Sequence, residues 1–465
     1  MGGIKLQEEP APAFPASAFR AEGGAVLLTP GLQLTLLVVI GLAYIVLAIG
    51  WTRATPAWDN PDEPAHWNFV RHVAQTGALP ILRPGDYPQA QVESLKSARF
   101  PPGSNIDGIQ YESHQPPLYY AGAAVVYKLT TWLPLKRQVD ALRLLSTIFG
   151  VLTIVASWRI VRSLLPGEPY LALATASFIA FVPMHVNMSA AVDNDALGDL
   201  LLTVAVLGML LWLQRGFSVR GAVILGIVIG LAALTKVTTL AAFPLALLAA
   251  ALRYWRVGRD QRHVHPFVGL LISYAAALAV WGWWVLRNVL TYGLGDPLAL
   301  KVNKLVVTQL QTGALNAAAI QRFAKGTFDS FWAQFGWMGI PVPQVYAELK
   351  LLTILAGIGL AVALLRALRL DVPGAAVRQK AGEVVLVLAW PVLVILEDLQ
   401  YNLTFVQTQG RYLFPAIGGI GLFFMLGLSR LAGPRLSPVV LTAASVLLAA
   451  LCAVLLKTVV IPAWR

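Results

Sequence analysis

Charge is what this chain has least of. Only 12% of its 465 residues are Asp, Glu, Lys or Arg, against 57% hydrophobic. That is too few charges to clothe a soluble protein of this length. Cysteine is nearly absent: Cys452 stands alone inside an apolar run, which excludes disulfides within the chain and cysteine-based metal sites. Nucleotide signatures are missing too. No GxxxxGK followed by Ser or Thr occurs, and no GxGxxG follows a strand. An ATP-driven pump or a cytoplasmic nucleotide-sugar enzyme is thereby disfavoured. HExxH and GxSxG are also absent, as are low-complexity repeats and sustained heptads.

What is present is a series of long apolar runs. They begin near Gly31, Asp140, Tyr170, Ala191, Ala222, Val237, Val268, Leu349, Val384, Tyr412 and Val439. Each is about 17 to 25 residues, enough for a helix to cross hydrocarbon roughly 30 Å thick. The pattern predicts an all-α integral membrane protein of about eleven transmembrane helices. The first 30 residues, rich in Ala, Pro and Gly, read as a disordered cytoplasmic tail, and residues 31–465 as a single polytopic domain. The first run has no small-residue cleavage site and reads as a retained anchor. The segment "PPLYYAGAAVVYKLTTWLP", residues 116 to 134, is apolar but carries Lys128 and three tyrosines.

The basic residues decide how that segment is placed. If it lies on the membrane surface and the N-terminus is cytoplasmic, the short inner loops hold Arg159 and Arg162, Arg215 and Arg220, Arg253, Arg256, Arg259 and Arg262, Arg366, Arg369, Arg378 and Lys380, and Arg430 and Arg435. The short outer turns hold only Lys236 and Arg411. This is the asymmetry of the positive-inside rule, and a crossing at 116–134 would reverse it. The formal net charge of +12 thus reflects topology and anionic lipid headgroups, not nucleic acid. Two long outer segments result, residues 52–138 and 291–344. A plasma membrane location with the working face extracytoplasmic follows.

The outer face gathers the chemistry. In "WDNPDEPAHWNFVRHV", residues 58 to 73, prolines and an aspartate suit the start of a helix. Over residues 62 to 76 such a helix puts Asp62 and His66 on one face at i and i+4, with Glu63 beside them. Trp67, Val70, Val73 and Ala74 are expected to form its lipid-facing stripe. A capped interfacial helix explains the cluster equally well. In "AAVDNDALGDLL" Asp193 and Asp195 open another helix, with Asp199 a turn deeper; capping accounts for Asp193, less readily for an acid inside a span. Lys236, Arg411 with Tyr412, and Arg287 occupy outer helix ends. Each alone is explained by snorkelling; together with carboxylates they suit a lipid-linked phosphate beside a general base. His114, in "SHQPPLYY", stands at the same surface.

An outer-loop "DE" followed by histidine, then "HQPPLYY", "DNDAL", "LTK" and "QGRYLFP", resembles the GT-C superfamily of membrane glycosyltransferases, which includes protein O-mannosyltransferases and the aminoarabinose transferase of lipid A. The likeness runs from about Leu32 to Leu431, and "FWAQFGWMG" at residues 331 to 339 points to a bacterial branch. It implies a GT-C-like bundle with interfacial juxtamembrane helices in the first outer loop, and a polyprenyl-phosphate-linked sugar as donor. It implies a glycan, lipid or protein as acceptor. It also implies that Asp62, with Glu63, is catalytic and Asp62 the base. Asp193 or Asp195 would organise the site, and Lys236 and Arg411 would hold the donor phosphate. Some members use a divalent metal, magnesium or manganese, and others do not. The sequence departs from the oligosaccharyltransferase branch in lacking its soluble C-terminal domain and WWD-type motif.

The expected reaction is transfer with inversion at the anomeric carbon. A flippase or transporter is the first rival, but such proteins bind near the midplane, often in repeated halves, and no repeat is visible here. A glycan polymerase or ligase is the second; it would be expected to use loop arginines, and residues 291–344 carry only Arg322, with Lys301, Lys304 and Lys325.

Overall fold

The computed structural model describes residues 28–216, 218–257, 264–307, 316–369 and 374–464. The tail expected over residues 1–30 lies outside them as far as residue 27. The described chain is helical almost throughout. In order come α1 (Pro30–Ala54), α2 (Glu63–Thr76), α3 (Gln89–Ser97), α4 (Leu118–Thr130), α5 (Leu135–Leu164), α6 (Pro169–Phe181), α7 (Pro183–Ser189), α8 (Asp195–Arg215), α9 (Val219–Ala233), α10 (Ala242–Val257), α11 (Pro266–Tyr292), α12 (Leu300–Val306), α13 (Ala317–Ala333), α14 (Tyr346–Arg369), α15 (Gly374–Asn402) and α16 (Ile417–Leu455). A two-residue hairpin, β1 (Gln334–Phe335) with β2 (Ile340–Pro341), follows α13.

α1 shows how such a sequence builds a membrane helix. The Thr29 hydroxyl accepts a hydrogen bond from the Leu32 N–H at 3.2 Å, and Pro30 takes a first-turn place where its missing N–H costs nothing. Leu34, Val38, Val39, Leu42 and Val46 are each more than half exposed, while Leu37, Tyr44, Ala48 and Trp51 are buried. An exposed aliphatic face is costly in water and neutral in lipid. The molecule is a multi-pass membrane protein.

A helix stands at every expected apolar segment. Among the described residues, seven stretches are long and apolar enough to cross a bilayer, or eight if α6 and α7 form one bent span. α9 has only 15 residues, and the last two expected segments are joined in one run of 54 residues. Within that run α16, 39 residues long, is broken at Gly433, which takes φ 75° and ψ 169° ahead of Pro434. A straight helix of that length would rise about 58 Å, nearly twice the hydrocarbon thickness, so the break divides the two segments. The 63° bend between α6 and α7 has a proline cause: Val182 takes the extended conformation (ψ 115°) favoured before Pro183.

Small residues let the helices meet backbone to backbone. A Cβ on Gly427 of α16 would lie 1.9 Å from the Ala356 carbonyl oxygen of α14, and one on Gly226 of α9 would lie 2.2 Å from the Ser273 oxygen of α11.

The first outer segment makes a second core. Trp67, Val70 and Ala74 of α2 are buried; they pack with Tyr119, Tyr120 and Ala123 of α4 in one cluster. The Trp67 ring meets Tyr127 edge-on at 5.3 Å. The stripe expected to face lipid therefore faces protein, because α4 lies where lipid was expected. α4 has 13 residues, a rise of about 20 Å, too short to cross.

Replacing Gly427 by Ala is expected to push α14 from α16 and lower stability by about 1–3 kcal/mol. Thermal unfolding of the detergent-solubilised protein measures it; an unchanged midpoint would contradict the close packing.

Candidate active site

The site is built on a buried ion pair. Arg143 of α5 and Glu63 of α2 are both 0% exposed. Arg143 donates to Glu63 Oε1 from Nε (2.8 Å) and to Oε2 from Nη2 (2.6 Å). Its remaining N–H groups reach the carbonyls of Thr52, Thr55 and Pro56 at 2.7–3.0 Å. Glu63 also accepts from the N–H groups of Trp58 (2.9 Å) and Val192 (3.1 Å). The end of α1, the start of α2, α5 and the loop before α8 are thus fastened at one point.

Next to Glu63 the chain turns sharply. Asp62 precedes α2 in the left-handed region, φ 63° and ψ −4°, where a residue with a Cβ is uncommon and Asp among the better tolerated. The turn aims the Asp62 carboxylate away from Glu63 into a cavity of about 640 Å³. There Oδ1 accepts from the Tyr111 hydroxyl at 2.7 Å, and Oδ2 is ion-paired with Arg411. A second ion pair joins Asp195, in the first turn of α8, to Lys236, in the tight turn between α9 and the 3₁₀ segment Val237–Ala241. Asn194 ties the same two elements by donating to the Thr235 carbonyl at 2.8 Å. His66, Glu112, His114 and Tyr412 share the wall. Trp337, in the hairpin turn, closes the second outer segment onto the first by donating from its indole to the Trp58 carbonyl at 2.8 Å.

Burial shapes the titration of this wall. It would raise the Asp62 carboxyl, but the guanidinium of Arg411 and the Tyr111 hydroxyl outweigh it and hold the group down at about 2. Glu112 lacks such a cation in contact; burial, reinforced by the charge of Asp62, pushes it up to about 7. Burial, with Arg411 nearby, brings Lys236 down to about 8. Burial lowers His66 to about 3 and His114 to about 4, so both imidazoles are neutral. His66 Nδ1 lies 2.7 Å from the Tyr120 hydroxyl, and His114 Nδ1 lies 3.0 Å from the Tyr111 carbonyl, to which it donates.

Of the residues singled out in the sequence, Asp62, His66, His114, Asp195, Lys236, Arg411 and Tyr412 come together on the cavity. Glu63 lies behind it, with both oxygens engaged. Asp193 lies beneath it, 0% exposed, and Oδ1 accepts from the Asp195 N–H at 2.9 Å, a cap on α8. Arg287 is elsewhere: it donates to the Pro80 carbonyl at 2.5 Å and stacks on Trp284 at 4.8 Å, anchoring α11 to the outer segment. Sequence reasoning missed Arg143, Tyr111, Glu112, Glu397 and Asp398. Glu112 stands two residues before His114, and the "ED" at the end of an apolar run was visible; nothing in sequence marks which faces turn inward. Among the described residues, no three His, Cys, Asp or Glu side chains are placed to hold a metal ion.

With this geometry in place, the chain can be compared with known proteins. The model of the dolichyl-phosphate-mannose-protein mannosyltransferase family matches residues 114–283, a stretch that includes His114, Asp195 and Lys236. No curated protein matches the chain in sequence. Among solved structures, the apo oligosaccharyltransferase of Archaeoglobus fulgidus superposes with a TM-score of 0.53 at 17% identity, covering 92% of this chain and 57% of that one. The same enzyme with an inhibitory peptide and a dolichol-phosphate gives 0.52 at 16%, covering 90% and 56%. With a tethered acceptor peptide it gives 0.51 at 15%, covering 92% and 55%. This chain therefore spans a little over half the length of these relatives in fold, and the likeness is one of membrane architecture.

Two outcomes test the site's electrostatics. Arg143→Met strands Glu63 as an unpaired buried charge, at an expected loss of roughly 3–5 kcal/mol; adding Glu63→Leu should recover most of it, both read by thermal unfolding. For Glu112 the folded pKa near 7 lies above its ordinary 4.5, so its contribution to stability falls as pH rises across that window. Glu112→Gln removes the dependence. The variant's melting temperature should gain on the wild type between about pH 4.5 and pH 8; parallel curves would contradict the assignment.

Proposed function

We propose that this chain, a multi-pass membrane protein with the GT-C fold, is a glycosyltransferase. It takes a sugar from a polyprenyl-phosphate-linked donor and passes it to an acceptor at the extracytoplasmic face of the plasma membrane. One observation carries the reading. Asp62, Asp195, Lys236 and Arg411, from four separate parts of the sequence, converge as two cation–carboxylate pairs on one cavity at one end of the bundle. The match to the mannosyltransferase family model supports it, as does the fold shared with an enzyme whose structure holds a dolichol-phosphate.

The chemistry follows from the pairs. A phosphate entering the cavity competes with Asp62 for Arg411 and with Asp195 for Lys236. Sharing Arg411 with the phosphate lifts the restraint that keeps Asp62 a weak base, so the carboxylate gains basicity only when donor is bound. The acceptor hydroxyl attacks the anomeric carbon from the side opposite the phosphate. Its proton passes to Asp62, the bond between the anomeric carbon and the phosphate oxygen breaks, and polyprenyl phosphate leaves with its charge held by Arg411 and Lys236. One displacement inverts the anomeric centre. Glu63, with no free oxygen and no access to the cavity, positions Asp62 and does not touch substrate.

Purified protein incubated with undecaprenyl-phosphate monosaccharides tests the function: transfer to an acceptor, or slow hydrolysis, is expected. Donor recovered intact but moved across a proteoliposome membrane would make the protein a carrier. Asp62→Asn keeps a residue that tolerates the left-handed turn and should lower turnover by roughly a hundredfold to ten-thousandfold; the protein should still unfold cooperatively, at a lower temperature because Arg411 loses its partner. Full activity in that variant would remove Asp62 from the role.

A further inference from the structure

The wall of the cavity opposite the loops is formed by α15, and its residues have no place in the chemistry above. Val394, Glu397, Asp398 and Tyr401 line the cavity at i, i+3, i+4 and i+7, one continuous helix face. Asp398 is 4% exposed. Its Oδ1 accepts from Asn402 Nδ2 at 2.9 Å, but its Oδ2 is buried without a partner, as is Oε2 of Glu397. Among the described residues no cation pairs with either. The pair also sits near the C-terminus of α15, where the helix dipole disfavours negative charge. Buried acceptors left open in such a place are expensive unless a ligand supplies the donors.

The neighbouring aromatics connect this wall to the phosphate-binding cations. Tyr401, one turn from Glu397, meets the Tyr412 ring at 5.6 Å, and the Arg411 guanidinium lies 5.2 Å from that same ring. From cation to carboxylate the cavity therefore runs Arg411, Tyr412, Tyr401, then Glu397 and Asp398. A sugar offers an apolar face for an aromatic ring and, around its rim, hydroxyl donors that a carboxylate accepts well. These carboxyl oxygens lie beyond the two tyrosines from Arg411, so a phosphate held by that cation places its sugar towards α15.

We propose that Glu397 and Asp398, with Tyr401 and Tyr412 as the floor, form the subsite that grips the transferred sugar through its hydrogen-bond donors. This rests on the glycosyltransferase reading and names the part of the donor that the α15 wall holds. Glu397→Gln and Asp398→Asn keep the side-chain shapes while exchanging one acceptor oxygen of each for an amide nitrogen.

Binding of three probes is compared in each variant: undecaprenyl phosphate alone, the same lipid carrying a neutral hexose, and the same lipid carrying an amino sugar. Affinity for the sugar-bearing probes is expected to fall about tenfold or more, with affinity for the bare phosphate kept within about twofold. A larger loss for the amino sugar identifies an ammonium as the gripped donor, and an equal loss identifies hydroxyls; either supports the subsite. Equal loss for bare and sugar-bearing probes, no loss for either, or a loss confined to the acceptor's KM would overturn it. If the wild type binds no sugar-bearing probe, the glycosyltransferase reading itself falls, an outcome distinct from a wild type that binds while the variants match it.

Discussion

The molecule depends on the pairing of Glu63 with Arg143. Taking both ions out of water costs several kcal/mol each, and a well-packed apolar pair of the same volume would often be as stable. What the pair provides is placement. Three backbone carbonyls from the end of α1 and two N–H groups, one from the turn before α2 and one from the loop before α8, converge on it. Its geometry fixes how these segments meet at one end of the bundle. Asp62 is the residue just before Glu63, and its left-handed turn leaves the Glu63 carboxylate inward on Arg143 and its own outward on the cavity. Two adjacent acids thereby acquire opposite environments.

In the resting arrangement Arg411 and Lys236 each already hold a carboxylate, so an anion that takes either cation must displace that partner. This favours ligands with several oxygens and a high charge over simple carboxylates. On the proposed reading it would also couple occupancy to basicity at Asp62, since an anion sharing Arg411 relieves the restraint on that carboxylate. Neutral histidines and the raised Glu112 add hydrogen-bonding groups without upsetting the balance.

Much of this was legible in the sequence, for reasons that can be named. Hydropathy marks where helices lie, since lipid leaves no alternative for the backbone, and the basic residues marked which loops share a face. That was enough to group Asp62, Asp195, Lys236 and Arg411. What stayed hidden was rotation about helix axes. Arg287 and Arg411 have the same depth and setting in sequence, yet one points to the Pro80 carbonyl and the other into the cavity. Glu397 and Asp398 looked like any acids at a helix end. Nothing in the sequence around Arg143, at the start of an apolar run, marks it as the partner of Glu63, 80 residues away. The lipid-facing stripe of α2 failed similarly, because an apolar face does not say whether lipid or α4 covers it.

The turn carrying Lys236 has a mechanical consequence. It joins α9 to the following span with almost no slack, while its partner Asp195 sits on the first turn of α8. At 15 residues α9 is shorter than the roughly 20 that cross a bilayer upright, so a thick membrane is met by drawing lipid inward or changing tilt. A change of tilt in α9 would be felt first at this turn, where the Lys236 ammonium and the Asp195 carboxylate bridge two helices.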